Sequence, residues 1–497
     1  MREPKTFDVR TRYSEFRQAV RRHAPSELIP YISAHAAKNL DPFSGENTDQ
    51  WRRGFAPWFY SAVARDSIIY GNENRSKPVS DRDIVNLRNL FTDVPVGIED
   101  LGKEEPLLAV LMQGLSYEQF PYQTSVKEEL ARSYLLFAED LDDGGEPSFP
   151  RPNDWVPVLG GTITEALSAS FVFAVGAHQN GGVVDPAWLD TIWSDALEDL
   201  LPRSAAANIL DHLTATIDQA KQDARTVISG PLDYPKYAYN PLVKTPILDL
   251  GTGPRYAPQP YFIQTAMTAN NLYYRGIRVW DRHKFGKAVG LRVQEYVGRQ
   301  LRYTGKLDVR PEFRWKSKSG VVHSTDWFLV TPCATILIEC KSMRTTPEMR
   351  SGTRQGLVTT AEKLTKAFEQ INDNARQLRA RNPRFSDLPT DRPLIGLVVT
   401  AEPLYVANSS EVREMLPKTE IPTLTISLRD IENLAVLPPE ILGDALCSLV
   451  QRETGTYILS LGLADVLPEG YEVPENELLA RAFEDAILPK LRDAPRG

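Results

Sequence analysis

The chain has 497 residues, 42% of them hydrophobic, with 57 Lys and Arg against 65 Asp and Glu and a net charge of −8. That length predicts two or three domains with ample cores, and the overall acidity, taken alone, argues against a nucleic-acid partner. Three cysteines rule out a disulfide framework, and no Cys/His spacing has the form of a zinc site.

The start of the chain, Met1 to His23, is studded with Arg and Glu and lacks the apolar stretch of a signal peptide. The longest apolar run, Ala166 to Val175, is too short to span a bilayer. A cytoplasmic protein with no membrane contact is the expectation. Trp51 to Tyr70 and Val126 to Leu141 carry apolar residues at helical spacing. The loop Asp142-Asp143-Gly144-Gly145, followed by Pro147, Pro150, Pro152 and Pro157, punctuates the chain, and a second helical block is predicted from Thr162 to Ile228. Residues 1–230 are therefore expected to be a mostly helical region, split near 142–161. A regulatory, substrate-positioning or oligomerisation module that contacts a second copy or a partner protein is the reading, with a structural role the alternative. No solenoid-type repeat and no low-complexity tract is present.

Residues 231–280 read as a Pro-rich connection. Within it, Ile247-Leu248-Asp249-Leu250-Gly251-Thr252-Gly253 has the look of a glycine-rich cofactor turn. Such a turn must leave a strand and open a helix. Here Pro254, Pro258 and Pro260 follow, and the third glycine position is Arg255, so the segment is expected to be a loop.

Charge changes sign in the next segment. Residues 281–385 hold 21 Lys and Arg against 10 Asp and Glu, so this stretch is at +11 and the rest of the chain at −19. A basic segment in an acidic chain suits a phosphate backbone. Arg310, Arg314, Lys316 and Lys318 lie on or beside a predicted strand from Leu307 to Trp315, and Arg344, Arg350 and Arg354 lie further on. Before that strand, Phe285, Val289, Val293, Tyr296, Val297 and Leu301 mark a helix that carries Glu295. Two strands follow. The first lies in the run Ser324 to Val330, with Asp326 at its start; the second begins at Ile336 and ends with Glu339 and Lys341, its Ile336 to Cys340 part reading as covered on both faces, with Pro332 in the turn between the two. Residues i and i+2 of a strand share a face, so Glu339 and Lys341 project together, and Asp326 approaches Glu339 if the strands pair. A helix from Leu357 to Leu378 carries Lys363, Lys366, Gln370 and Asn374 on its polar side. Strands Leu394 to Thr400 and Thr423 to Leu428 come next, and residues 441–497 are expected to form a helical extension. Trp315 and Trp327 are expected in the core, and His323 at a strand end.

Two carboxylates beside one ammonium form a hard-cation site. Mg²⁺ is usually held by one or two carboxylates with several waters, which suits Asp326 and Glu339, and Mn²⁺ would serve equally. Lys341 would orient or deprotonate the attacking water, or stabilise developing negative charge.

With Asp326 and the Glu339-Cys340-Lys341 run on adjacent strands, residues 281 to about 435–440 resemble the PD-(D/E)XK nuclease superfamily, the restriction-endonuclease-like fold. The predicted αβββαββ order is similar to the family core, and the residue before the Asp is Thr325 where the namesake motif has Pro. The resemblance implies an α/β C-terminal domain that hydrolyses phosphodiester bonds in DNA with Mg²⁺ or Mn²⁺, with defence against foreign nucleic acid as the implied context. It also implies a third metal ligand in the backbone carbonyl of Cys340, a Glu on the first helix (Glu295) joining the metal site, and a Gln on the second (Gln370) fixing water or the scissile phosphate. A binding protein that keeps the fold without cleaving and a nuclease acting on RNA are the alternatives. The retained Asp326, Glu339 and Lys341 argue against the first, and residue types do not separate DNA from RNA.

Overall fold

The structure is a computed structural model that describes residues 9–40, 55–94, 125–139, 149–191, 193–227, 236, 238–317, 320–346, 349, 354–451 and 463–487. The chain forms two compact units, one of Met1–Asp143, Pro150–Trp280 and Leu479–Gly497, the other of Gly144–Phe149 and Asp281–Leu478. The architecture is mixed α/β.

The first unit is mostly helical. Helices Val9–Val20, Pro25–Asn39, Pro57–Tyr70 and Asp81–Thr92 bury Phe16, Leu28, Ile32, Phe59 and Ile84 in one core. Proline opens two of them, where its missing N–H costs nothing. This sets one boundary at Pro57, not at Trp51 as the periodicity predicts; residues 51–54 lie outside the described ones. The helix Val126–Ser133 widens into a π-helical turn, Tyr134–Ala138, and its predicted end at Leu141 also falls outside the described residues. Ile163–Gln179 starts with a capping box, in which Glu165 accepts from the Thr162 N–H at 2.7 Å and Thr162 accepts from the Glu165 N–H at 3.2 Å.

The block from Thr162 to Ile228 is not purely helical. It contributes the short strands β1 (Val183–Val184) and β2 (Thr214–Thr216) to a sheet completed by β3 (Ile247–Asp249) and β4 (Arg255–Tyr256), in the order β1-β4-β3-β2. Two- and three-residue strands are too short to show the two-residue periodicity that would have marked them. The Pro-rich stretch is likewise folded, with Tyr261–Thr265 and Ala269–Val279 as helices in the same unit. Its glycine-rich turn joins β3 to β4, which pair antiparallel (Leu248 with Tyr256, Asp249 with Arg255). Gly251 and Gly253 take φ of +74° and +97°, and the Asp249 carboxylate accepts from the Gly251 N–H at 2.7 Å. A strand follows the turn instead of a helix, so the cofactor reading fails.

Polar groups tie this unit together at its centre. Asp66, 1% exposed, accepts from Tyr13 Oη at 2.8 Å and from Arg65 Nε at 2.9 Å, and Arg65 Nη1 donates to the carbonyls of Lys236 and Ala238 at 2.9 and 3.0 Å. No single helix among the described residues is long and apolar enough to cross a membrane. Pro152–Leu159 and Ile163–Gln179 are apolar enough together but meet at 48°, and Ile163, Ala166, Leu167 and Phe173 are buried in the unit's core.

The second unit is built on a five-stranded sheet. Helix α1 (Arg282–Arg302) precedes β5 (Asp308–Pro311); a separate hairpin of β6 (Arg314–Ser317) and β7 (Gly320–His323) follows, then β8 (Trp327–Val330) and β9 (Thr335–Lys341). Helix α2 (Arg354–Arg379) leads to β10 (Leu394–Thr400), α3 (Ser410–Met415), β11 (Thr423–Ser427), α4 (Leu428–Ala435) and α5 (Pro439–Gln451). The sheet order is β11-β10-β9-β8-β5, with β9, β10 and β11 parallel and β8 antiparallel to both neighbours. Parallel strands are buried on both faces, and Ile336, Leu337 and Ile338 are fully buried as their unbroken apolar run predicts. Leu428 begins a helix because Ser427 caps it, its Oγ accepting from the Asp430 N–H at 3.4 Å.

Removing the Asp66 carboxylate would strand the buried Arg65 guanidinium. Asp66→Ala should cost about 3–5 kcal/mol of unfolding free energy, measured by chemical denaturation, whereas Asp83→Ala, which removes the carboxylate that accepts from the Ser80 N–H at the start of helix Asp81–Thr92, should cost about 1 kcal/mol.

Candidate metal centre

The β8–β9 hairpin turns over Thr331-Pro332-Cys333-Ala334, where the Thr331 N–H donates to the Ala334 carbonyl at 2.9 Å. From that turn the register runs Val330 with Thr335, through Trp327 with Ile338. One step further, it sets Asp326 against Glu339. On the other side β5 pairs Pro311 with Trp327, and the Glu312 N–H donates to the Asp326 carbonyl at 2.8 Å. Glu312, Asp326 and Glu339 therefore lie in one row across three neighbouring strands, and residues directly opposite share a face.

Beyond that row the pairing slips by one. Arg314 pairs with His323, where continuation of the β5–β8 register would require Ser324. Thr325 is the extra residue, a β-bulge that bends the strand and re-aims its neighbours. The single strand expected from Leu307 to Trp315 is thus two, and the bulge carries β6 and β7 out of the main sheet. Trp315 is half-buried in an aromatic group with Phe313 and Phe385 (ring centroids 5.7 and 5.9 Å away). Trp327 is buried, with its indole N–H donating to the Gln294 carbonyl on α1 at 2.9 Å. Its ring lies where a Cβ on Gly298 would be, so only glycine lets helix and strand approach this closely.

Asp326 Oδ2 accepts from the Cys340 backbone N–H at 2.6 Å, and Glu339 Oε1 accepts from Lys341 Nζ at the same distance. Glu339 is 2% exposed and its Oε2 is buried without a hydrogen-bond partner, while the Lys341 side chain is 31% exposed. Burial pushes the Glu339 carboxyl well above the usual range, Asp326 adds repulsion, and Lys341 offsets part of the rise. Burial likewise raises Asp326, opposed by the Cys340 N–H and Lys341, with Glu312 adding to the rise. Two desolvated carboxylates with one acceptor oxygen unused fit a hard divalent cation, which favours the ionised form of both. In a strand, N–H and C=O of one residue leave on the same side. The Cys340 carbonyl therefore faces the edge that Asp326 occupies, whereas the Lys341 carbonyl accepts from the Ala401 N–H at 3.1 Å on the opposite side.

Other expected residues lie elsewhere. Glu295 is on α1 but its side chain, 47% exposed, pairs with Arg302 at 3.3 Å, and among the described residues no hydrogen bond or ion pair joins it to Asp326 or Glu339. Gln370 Nε2 donates to the Ser324 carbonyl at 3.0 Å, so it holds the chain entering the bulge. Arg310 chelates Asp308, Arg314 pairs with Glu312 at 3.4 Å, and Arg344 is buried, donating to the Ser342 carbonyl. Lys316 and Arg354 are exposed, and Lys318 and Arg350 lie outside the described residues. Glu312, which motif spacing alone did not pick out, also bonds His323 Nδ1. Its signal was register: it sits one residue past the end of β5, in the row of the two carboxylates. Among the described residues no three His, Cys, Asp or Glu side chains group as a metal cluster, so the donors here are two carboxylates and a backbone carbonyl. No protein-family model, curated protein or solved structure matches the chain.

The Glu339 carboxyl holds its proton more tightly folded than unfolded. Metal-free protein should therefore lose stability as pH rises from the ordinary carboxylate range, about 4.3 for Glu, towards and past neutrality, because the unfolded chain releases that proton first. In EDTA, the thermal midpoint of the wild type should fall more between pH 5 and pH 8, conditions spanning about that range, than that of Glu339→Gln. Mg²⁺ or Mn²⁺ should restore it in the wild type alone. Parallel pH profiles for the two proteins would remove Glu339 from the site.

Proposed function

We propose that this chain is a cytoplasmic, divalent-metal-dependent nuclease of PD-(D/E)XK type that hydrolyses phosphodiester bonds in DNA, in the context of defence against foreign nucleic acid. The observation that carries the reading is the buried Glu339 carboxylate, one oxygen on Lys341 and the other without a partner, opposite Asp326 in the strand register. The succession α1, β5, β8, β9, α2, β10, β11, with the acidic row where antiparallel pairing gives way to parallel, supports the resemblance at the level of topology. Three free thiols fit a reducing compartment.

Asp326, Glu339 and the Cys340 carbonyl would hold Mg²⁺ or Mn²⁺, which supplies a lowered pKa for coordinated water and polarises a phosphoryl oxygen. Asp326 is aimed by the Cys340 N–H, so its carboxylate needs no reorganisation to serve. Lys341 is held by Glu339 yet remains open to solvent, where its ammonium can orient a water or take up charge developing on phosphate. Glu312 faces the same row, and with Arg314 and His323 on it, it sets the field at the outer side of the site. The net +11 of residues 281–385 supports a polyanionic substrate.

Purified protein incubated with supercoiled DNA, and in parallel with labelled RNA, should cleave DNA in Mg²⁺ or Mn²⁺ and stop in EDTA. Asp326→Ala and Glu339→Ala should reduce cleavage to background and weaken Mn²⁺ binding measured by calorimetry; undiminished cleavage by either would sink the assignment. Lys341→Ala should slow turnover by at least about a hundredfold with Mn²⁺ affinity nearly unchanged. Normal turnover with weakened DNA binding would instead make Lys341 a phosphate contact.

A further inference from the structure

Apart from the acidic row, the second unit contains a cavity of about 650 Å³ bounded by α2, α3, β11 and α5. Its size falls within the range of small-molecule sites. Phe368, Leu416, Pro422, Leu424 and Val450 supply apolar walls, and Arg413 and Lys418 supply positive charge. Arg413 is the unusual member. Its Nε is buried without a hydrogen-bond partner, and among the described residues no carboxylate pairs with its guanidinium. The ring of Phe368 lies 5.9 Å from it. Burial depresses its pKa, with no compensating anion to raise it.

Arg413 as a whole is partly exposed, but its buried Nε–H is a donor that is ordinarily matched by a carboxylate or by carbonyl oxygens. The buried Arg65 shows the pattern, with Asp66 and two carbonyls around it. Glu414, which also lines the cavity, is exposed, and among the described residues it makes no ion pair with Arg413. Two further polar side chains of the wall are already engaged. Asn408 Nδ2 donates to the Thr425 carbonyl at 2.7 Å and Asn408 Oδ1 accepts from the Thr425 N–H at 2.9 Å, while the Thr423 hydroxyl donates to the Ile421 carbonyl. The anion that would complete Arg413 is therefore not supplied by the cavity wall.

We infer that this cavity binds a small organic oxyanion, a carboxylate or phosphate monoester carried on an apolar or aromatic body, with Arg413 as the anion contact and Lys418 at the mouth. Guanidinium presents a planar fork that either oxyanion can accept in bidentate fashion, and the apolar walls select against inorganic ions. This inference does not rest on the nuclease reading.

The test is calorimetric titration of the full chain, in EDTA, with benzoate, phenyl phosphate, inorganic phosphate and benzyl alcohol. At least one aromatic anion should bind, with inorganic phosphate and benzyl alcohol at least about tenfold weaker; the preference between the two aromatic anions identifies the headgroup. Arg413→Gln should weaken binding at least about tenfold, Val450→Phe should do so by filling space, and Asp326→Ala should leave it unchanged. The inference is overturned if neither aromatic anion binds up to about 10 mM, if inorganic phosphate binds as well as phenyl phosphate, or if folded Arg413→Gln binds unchanged. Should Arg413→Gln fail to fold, unchanged binding by Val450→Phe overturns it.

Discussion

The register of β8 on β9 is the constraint on which the rest of the second unit's chemistry depends. A slip of one residue would turn every side chain of β8 to the opposite face and leave Glu339 buried with nothing across from it. What fixes the register is ordinary packing: Trp327, Phe328 and Leu329 are buried against Ile336, Leu337 and Ile338, and the Thr331–Ala334 turn closes the hairpin at one length. The hydrophobic core thus places the carboxylates, and the carboxylates contribute little to holding the core.

That division explains how an unfavourable feature survives. An ionised carboxylate at 2% exposure with an unused oxygen is a net cost to folding, and it persists because the strand carrying it is stabilised by the neighbouring apolar residues. The ammonium of Lys341 offsets part of that cost while staying open to solvent, so the same pair that makes the site tolerable leaves a charge facing outward. In the first unit Asp66 is equally buried, but both of its oxygens are satisfied. The contrast separates a polar group that organises a core from one kept in waiting.

Much of this was legible from residues alone. The apolar run Ile336–Cys340, the turn at Pro332 and the alternation of Glu339 and Lys341 follow from two-residue periodicity, and α1 and α2 from the helical spacing of Phe285 to Leu301 and Leu357 to Leu378. The bulge at Thr325 was not legible, because an extra residue leaves no mark on composition; it shows only when the pairings on either side are compared. Its effect reached furthest, dividing a predicted strand and concealing Glu312. Glu295 failed for a different reason, since helical spacing cannot tell whether a polar residue will find a distant site or Arg302 about two turns away on the same helix.

Gly298 has the least chemistry of any residue near the acidic row, yet the helix–strand distance is set there. Because the six-membered ring of Trp327 fills the space of its absent side chain, α1 acts as a fixed stop against which the first residue of β8 rests. Asp326 precedes that residue directly. The position of a carboxylate is thereby gauged by a hydrogen atom on another element, and even one added methyl group would be transmitted along the indole as a displacement of the acid beside it.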